Sequence, residues 1–160
     1  MAKLSTVSAP RALRVLIAEN YALLRERLVQ LLAELGRRVQ VVGLAGDVPR
    51  ALELFEQLRP DAVILDLVMP GGNGMQVLEH IKQRRPACVV IVLTNYATAP
   101  FRDRCRQLGA DFFFSKSAEF EKVPKVLEAL ADVVEELFDA PISPARPARL
   151  TQLCPAPATP

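Results

Sequence analysis

The sequence predicts an α/β domain built on a doubly wound, five-stranded parallel sheet. Three observations lead there. Short apolar runs alternate five times with stretches whose apolar residues recur at helical spacing. Helices of that length between strands act as crossovers, and right-handed crossovers lay helices on both faces of a parallel sheet. The run AVILDLVMPGGNGMQVL, residues 62–78, passes from an apolar strand to a carboxylate, Asp66, then to a Gly-rich loop and a new helix. An acid at the carboxyl end of a buried parallel strand stands where open α/β sheets place their sites. Such a carboxylate can bind a metal or attack phosphorus.

The first strand is Leu13–Ala18. Residues 21–35 form an amphipathic helix with Leu24, Leu28, Leu31, Leu32 and Leu35 on one face, and Gly36 supplies a left-handed cap. Residues 39–44 make the second strand. Asp47 caps a helix over Val48–Leu58, with Pro49 in its first turn. The third strand covers 61–65 and the third helix 73–85, ended by Pro86. The fourth strand covers 88–93. The fourth helix covers 99–108, where Pro100 suits the first turn and Gly109 the end. Residues 111–114 form the fifth strand and 121–138 the last helix, which must hold Pro124 in its first turn because an interior proline would break it.

Composition bounds the class. Apolar residues make up 51% of 160, which suits one compact core. The formal net charge is +2 and acids and bases interleave on the helices, so neither direct nucleic-acid binding nor a membrane surface is indicated. No apolar run reaches membrane-spanning length, and the first residues lack the apolar centre of a secretory signal. Cys88, Cys105 and Cys154 are odd in number and have no metal-type spacing, so reduced thiols in a cytoplasm are expected. Cys88, in an apolar run, reads as buried filling, and Cys154 as an exposed thiol. Residues 139–160 carry six of the thirteen prolines and few large apolar residues. A disordered tail is expected there, a flexible segment over 1–12, and one domain over 13–138.

Five landmarks stand in order at the carboxyl ends of the strands. Glu19-Asn20 ends the first strand, Asp66 the third and Thr94 the fourth. Lys116 follows the fifth, with Phe113 three residues before it, and Asp66 is followed by Met69-Pro70 and Gly74. On these residues the chain resembles, over about 13–138, the receiver domain of bacterial two-component response regulators. The resemblance implies a flavodoxin-like (βα)5 fold with strand order 2-1-3-4-5. It implies that Asp66 is the phosphoacceptor, attacking the phosphorus of a phosphohistidine donor. Lys116 and Mg²⁺ would offset the charge on the phosphoryl oxygens, and Thr94 would hydrogen-bond one of them. Glu19, Asn20, Asp66 and the backbone carbonyl of Val68 would hold the metal. Phe113 falls at the aromatic switch position, where an inward turn reshapes the surface of the fourth helix, fifth strand and fifth helix. The implied partners are a histidine kinase or phosphotransfer protein as donor and a downstream target protein. Members of the family often form a homodimer through the last helix, although no residue pattern here specifies one.

Departures from the family pattern carry their own expectations. Asn20 stands where the family commonly has a second acid; an amide oxygen can ligate a hard cation but brings no charge, so weaker Mg²⁺ binding is expected. Glu19, one methylene longer than the common Asp, would have to reach in to compensate. Val68 and Tyr96, two residues after Asp66 and Thr94, stand where polar residues help position a hydrolytic water, so slow self-dephosphorylation is expected. Asn95 is larger than the usual small residue, and Ser117 replaces the frequent proline after the lysine.

Other features have plainer readings. Alternation puts Phe112 and Phe114 on one face and Phe113 on the other. Phe101 and Phe120 read first as helix-packing residues, with an apolar partner surface as the alternative. His80 lies among charged helix residues with no ligand set around it. Gly71, Gly72 and Gly74 lack the lysine and hydroxyl of a phosphate-binding loop and read as a turn. Little chain follows residue 138, so the expectation is a single-domain regulator that accepts phosphate on Asp66 and switches a binding face or passes the phosphate on. It would turn over no diffusible substrate. The alternatives are a phosphorylation-independent pseudo-receiver acting as a binding or dimerisation module, favoured by Asn20; a small phosphatase using Asp66, which lacks a separate general acid; and a fragment of a longer regulator.

Overall fold

A computed structural model describes residues 11–139. Its strands are β1 (Leu13–Ala18), β2 (Val39–Ala45), β3 (Ala62–Leu65), β4 (Val89–Thr94) and β5 (Phe112–Ser115). Its helices are α1 (Ala22–Ala33), α2 (Val48–Leu58), α3 (Gly74–Arg84), α4 (Ala99–Gln107) and α5 (Lys122–Asp139). All four strand pairings are parallel and the order is β2-β1-β3-β4-β5, as expected. Among the described residues no helix is long and apolar enough to cross a membrane. The expectations for residues 1–10 and 140–160, including Cys154, lie outside the described residues.

Strand alternation splits the core into two layers. Leu16, Ala18, Val63, Leu65, Val90, Val92 and Phe113 face α2, α3 and Cys105 of α4. Val15, Ile17, Ala62, Ile64, Ile91, Leu93 and Phe112 face Leu28 and Leu32 of α1 and Val123, Leu127 and Leu130 of α5. Burial of both faces explains why β1, β3 and β4 read as nearly continuous apolar runs. Phe112 and Phe114 share a face and stack at 6.0 Å between ring centroids, with Phe113 on the other side. Burial pushes the Cys88 and Cys105 thiols up to about 11. Phe120 is a packing residue, buried between α1 and α5, whereas Phe101 is exposed.

Most boundaries fall within a residue or two of expectation. Asp47 caps α2 by accepting from the Arg50 N–H at 2.8 Å, and Asn73 caps α3 with Gln76 completing a reciprocal box. The largest difference is the end of α1, which stops at Ala33. The chain leaves through Glu34 and Leu35, and Gly36, with φ of +66°, opens a short 3-10 turn, Gly36–Arg38. Leu35 still packs on the α1–α5 layer, so the apolar period outlasts the α-helical backbone. From that turn Arg38 reaches Glu128, Asp132 and Glu135 of α5.

The amino edge of the sheet is pinned by polar contacts. Asp61 accepts from the Arg14 N–H at 2.9 Å. Asp111 accepts from the Val90 N–H at 3.0 Å and pairs with Lys82 at 2.6 Å. The carboxyl edge carries the loops. There Gly74 closes the loop after β3: its N–H donates to the Leu67 carbonyl at 3.0 Å. A Cβ on Gly74 would stand 2.3 Å from the Asp66 carbonyl oxygen and 2.6 Å from Leu67 Cα. Those are backbone atoms, so relief requires moving the Asp66 segment itself. Gly74→Ala should therefore lower stability by about 2–4 kcal/mol in urea unfolding; an unchanged midpoint would show that this loop yields freely.

Candidate functional site

The site lies at the carboxyl edge, where β1, β3, β4 and β5 end. Asp66 directly follows β3, and its backbone N–H donates to the Ala18 carbonyl at 2.9 Å, which fixes it beside the end of β1. Its side chain is only 4% exposed. Oδ1 accepts from the Val68 N–H at 3.1 Å and Oδ2 from the Lys116 ammonium at 2.9 Å. The same ammonium stands 2.7 Å from Glu19 Oε2, while Glu19 Oε1 accepts from the Tyr21 N–H at 2.9 Å. One cation thus bridges two buried carboxylates from neighbouring strands. Burial pushes the Glu19 carboxyl up; the Lys116 and Tyr21 hydrogen bonds oppose that, and the Asp66 charge adds to it.

Thr94 ends β4 fully buried. Its Oγ1 accepts from the Tyr96 N–H at 3.1 Å, and its carbonyl accepts from the Lys116 N–H at 2.9 Å. The last bond continues the β4–β5 register and delivers Lys116 across the sheet towards Asp66. Above these residues opens a cavity of about 650 Å³ lined by Asp66, Lys116, Asn20, Val68, Asn95 and Tyr96, with Tyr21, Leu23, Leu24 and Arg27 from the α1 side. Phe113 lies to one side of it, nearly buried against the α4 layer, with the Arg102 guanidinium 4.9 Å from its ring centroid. Arg102 also approaches Glu119 at 3.8 Å. Glu119 accepts from the Ser115 N–H at 3.0 Å, and that bond, with Lys122, holds its carboxyl below the ordinary range.

A hard divalent cation finds oxygen donors here, but few charges. Among the described residues no cluster of three or more His, Cys, Asp or Glu could hold a metal. Glu19 uses both carboxylate oxygens within the protein and is not on the cavity wall, whereas Asn20 is exposed and lines it. Asp66, the Asn20 amide and the Val68 carbonyl suit a Mg²⁺ ion that keeps several of its waters.

Asp66, Lys116, Glu19 and Thr94 are therefore brought together, Asn20 and Val68 stand on the rim, and Phe113 is set apart under Arg102. The sequence-based list missed Tyr21, Leu23, Arg27 and Arg102. Leu23 carried a signal: it is an apolar residue lying off the leucine face of α1. Arg102 carried none, because its position over Phe113 is purely tertiary.

A family model described as the response regulator receiver domain matches residues 15–128. The chain is 36% identical over 124 residues to the transcriptional regulatory protein PdtaR of Mycobacterium tuberculosis, covering 78% of this chain and 59% of that protein. It is 36% identical over 124 residues to a protein-glutamate methylesterase/protein-glutamine glutaminase of Koribacter versatilis, covering 76% of this chain and 33% of that protein. Among solved structures, the signal receiver domain of a DNA binding response regulator from Colwellia psychrerythraea superposes with a TM-score of 0.68 and 28% identity, over 74% of this chain and 98% of that one. The chain spans between a third and about three fifths of the length of these curated relatives.

The charge balance of the site generates a stability prediction. Lys116→Met would leave Glu19 and Asp66 buried without a cation, at an expected cost of about 3–5 kcal/mol in denaturant unfolding. Adding Glu19→Gln should recover part of that loss. Equal stability of wild type and Lys116→Met would mean that the ammonium does not hold the two acids together.

Proposed function

The chain belongs to the response regulator receiver domain family, and we propose that Asp66 is its phosphoacceptor. The observation that carries this is the position of Asp66: a nearly buried carboxylate at the end of a central strand, 2.9 Å from Lys116, at the base of an open cavity. Phosphorus arriving there meets a nucleophile whose orientation is fixed by the Val68 N–H and a cation already in place for the phosphoryl oxygens. Lys116 need only exchange one partner: as the incoming oxygens take up its ammonium, Glu19 keeps the Tyr21 N–H. Thr94 Oγ1 is held by the Tyr96 N–H with its own hydrogen free to donate to a phosphoryl oxygen. Mg²⁺, held by Asp66, Asn20, Val68 and, if it leaves Lys116, Glu19, would neutralise charge on the transferring group.

Receiver domains take phosphate from histidine kinases or phosphotransfer proteins and act on downstream targets. For this chain we place the response in Phe113 and the α4–β5–α5 face around it. A pull on Thr94 acts on the segment that runs through Tyr96 to α4, which carries the Arg102 lid over the Phe113 ring. Such a domain switches a binding surface, or passes the phosphoryl group on, without acting on a diffusible substrate. The relatives named as enzymes match this chain over only part of their length.

One specific observation favours the alternative of a phosphorylation-independent binding module: the cavity wall carries the uncharged Asn20, and Glu19 spends both carboxylate oxygens on Lys116 and the Tyr21 N–H. Intact-mass spectrometry with acetyl phosphate and Mg²⁺ separates the two. One phosphoryl adduct on the wild type and none on Asp66→Asn is expected, with decay slower after the donor is removed than in a Val68→Asn/Tyr96→Glu variant, because Val68 and Tyr96 line the access to Asp66. Absence of an adduct, from acetyl phosphate and from a phosphohistidine donor alike, would favour the binding module.

The metal expectation has its own check. Asn20→Asp adds a charge on the cavity wall, so the Mg²⁺ concentration giving half-maximal phosphorylation should fall about tenfold or more. Equal Mg²⁺ dependence in the two proteins would place the ion away from Asn20.

A further inference from the structure

We propose that Arg25 is a positioning residue for the metal-holding loop, an inference that rests on the reading of Asn20 as one of the groups that hold Mg²⁺ beside Asp66. The loop between β1 and α1 consists of Glu19, Asn20 and Tyr21. From the first turn of α1 the Arg25 guanidinium reaches back and donates to the Glu19 carbonyl at 2.6 Å. Among the described residues this is its only hydrogen bond, and it pairs with no carboxylate. The guanidinium fits because residue 46 is glycine: a Cβ there would stand 3.1 Å from Arg25 Nη1. A charged, half-buried side chain is thus given over to one backbone oxygen.

That oxygen belongs to the peptide unit that leads into Asn20. A peptide unit is planar, so fixing its oxygen fixes the plane from which Asn20 continues. The rest of Glu19 is held independently. Its N–H donates to the Ala45 carbonyl at 2.9 Å, and its carboxylate oxygens go to Lys116 and to the Tyr21 N–H. The Asn20 side chain, in contrast, is exposed and makes no hydrogen bond among the described residues. Its direction is therefore set by its backbone, and Arg25 holds that backbone. Direction matters more in this chain than it would with an acid at residue 20. A carboxylate attracts a cation by charge, whereas an amide ligates it only through its one oxygen. Groups that orient a ligand without touching the metal change metal affinity by about tenfold or more.

Charge and position make opposite predictions for the loss of Arg25. Removing a cation beside the loop would favour Mg²⁺ binding, whereas releasing the loop would weaken it. The test is an Mg²⁺ titration without phosphodonor, followed at the Asn20 side-chain amide by proton–nitrogen NMR. Arg25→Met and Arg25→Ala, two neutral substitutions of good helix propensity, should raise the Mg²⁺ midpoint about tenfold, with urea unfolding checking that each is folded. Arg25→Lys keeps the cation and a donor for the single bond, and should recover part of that loss. A midpoint unchanged or lowered in the neutral variants, or no recovery in Arg25→Lys, would overturn the positioning role and leave Asn20 as an ion-holding residue. An Asn20 amide that does not respond to Mg²⁺ in the wild type would overturn that reading of Asn20, and the positioning role with it.

Discussion

A single ammonium group, that of Lys116, is the interaction on which the carboxyl edge of this domain depends. Glu19 and Asp66 end adjacent strands, and both carboxylates are nearly buried. Two like charges taken out of water side by side repel each other. Lys116 reaches them from the end of the outer strand β5, held by a backbone bond to Thr94. The sheet order is what makes this reach feasible. β1, β3, β4 and β5 stand side by side, so three chain segments distant in sequence meet over one carboxylate. The same ammonium is the counter-charge a phosphoryl group would need, so one residue serves the resting protein and the proposed chemistry in turn.

The two edges of the sheet are built for opposite purposes. At the amino edge, Asp61 and Asp111 are tied to backbone N–H groups and to basic side chains, and these contacts hold the strand starts in register. At the carboxyl edge the polar groups face a cavity, and the loops between strand and helix form its wall. Gly74 is where the two demands meet. Only a residue without a side chain lets the α3 start press against the Asp66 backbone, so the helix that buries the core also fixes the site.

Much of this was legible in the sequence because a parallel sheet buried on both faces writes a coarse pattern. The apolar runs at β1, β3 and β4 marked strands buried on both faces, and Asp47 marked the start of α2 by a side-chain cap that survives in the fold. Asp66 stood out as an acid at a strand end, and Thr94, Lys116 and Glu19 through the resemblance to receiver domains; the fold gathers all four at one edge. Features that depend on packing between elements were not legible. The end of α1 was missed because Leu35 keeps the apolar spacing after the α-helix stops. Phe120 packs as read, but that Arg102 covers Phe113 depends on a contact between α4 and β5 that no local pattern announces. Val68 and Tyr96 stood out in the sequence as departures beside the site, but that Tyr21, Leu23 and Arg27 of the α1 side share a cavity with them depends on the fold.

Lys116 also gives the most direct test of the central claim. A crystal structure with beryllofluoride and Mg²⁺, which mimics an aspartyl phosphate, would show whether the ammonium changes partners. The expected result is the fluoride adduct on Asp66, Lys116 turned from Glu19 to a fluorine, and Thr94 Oγ1 within hydrogen-bonding distance of another. An Asp66 without adduct, or a Lys116 still bridging Glu19 and Asp66 beneath one, would contradict the role assigned to this ammonium.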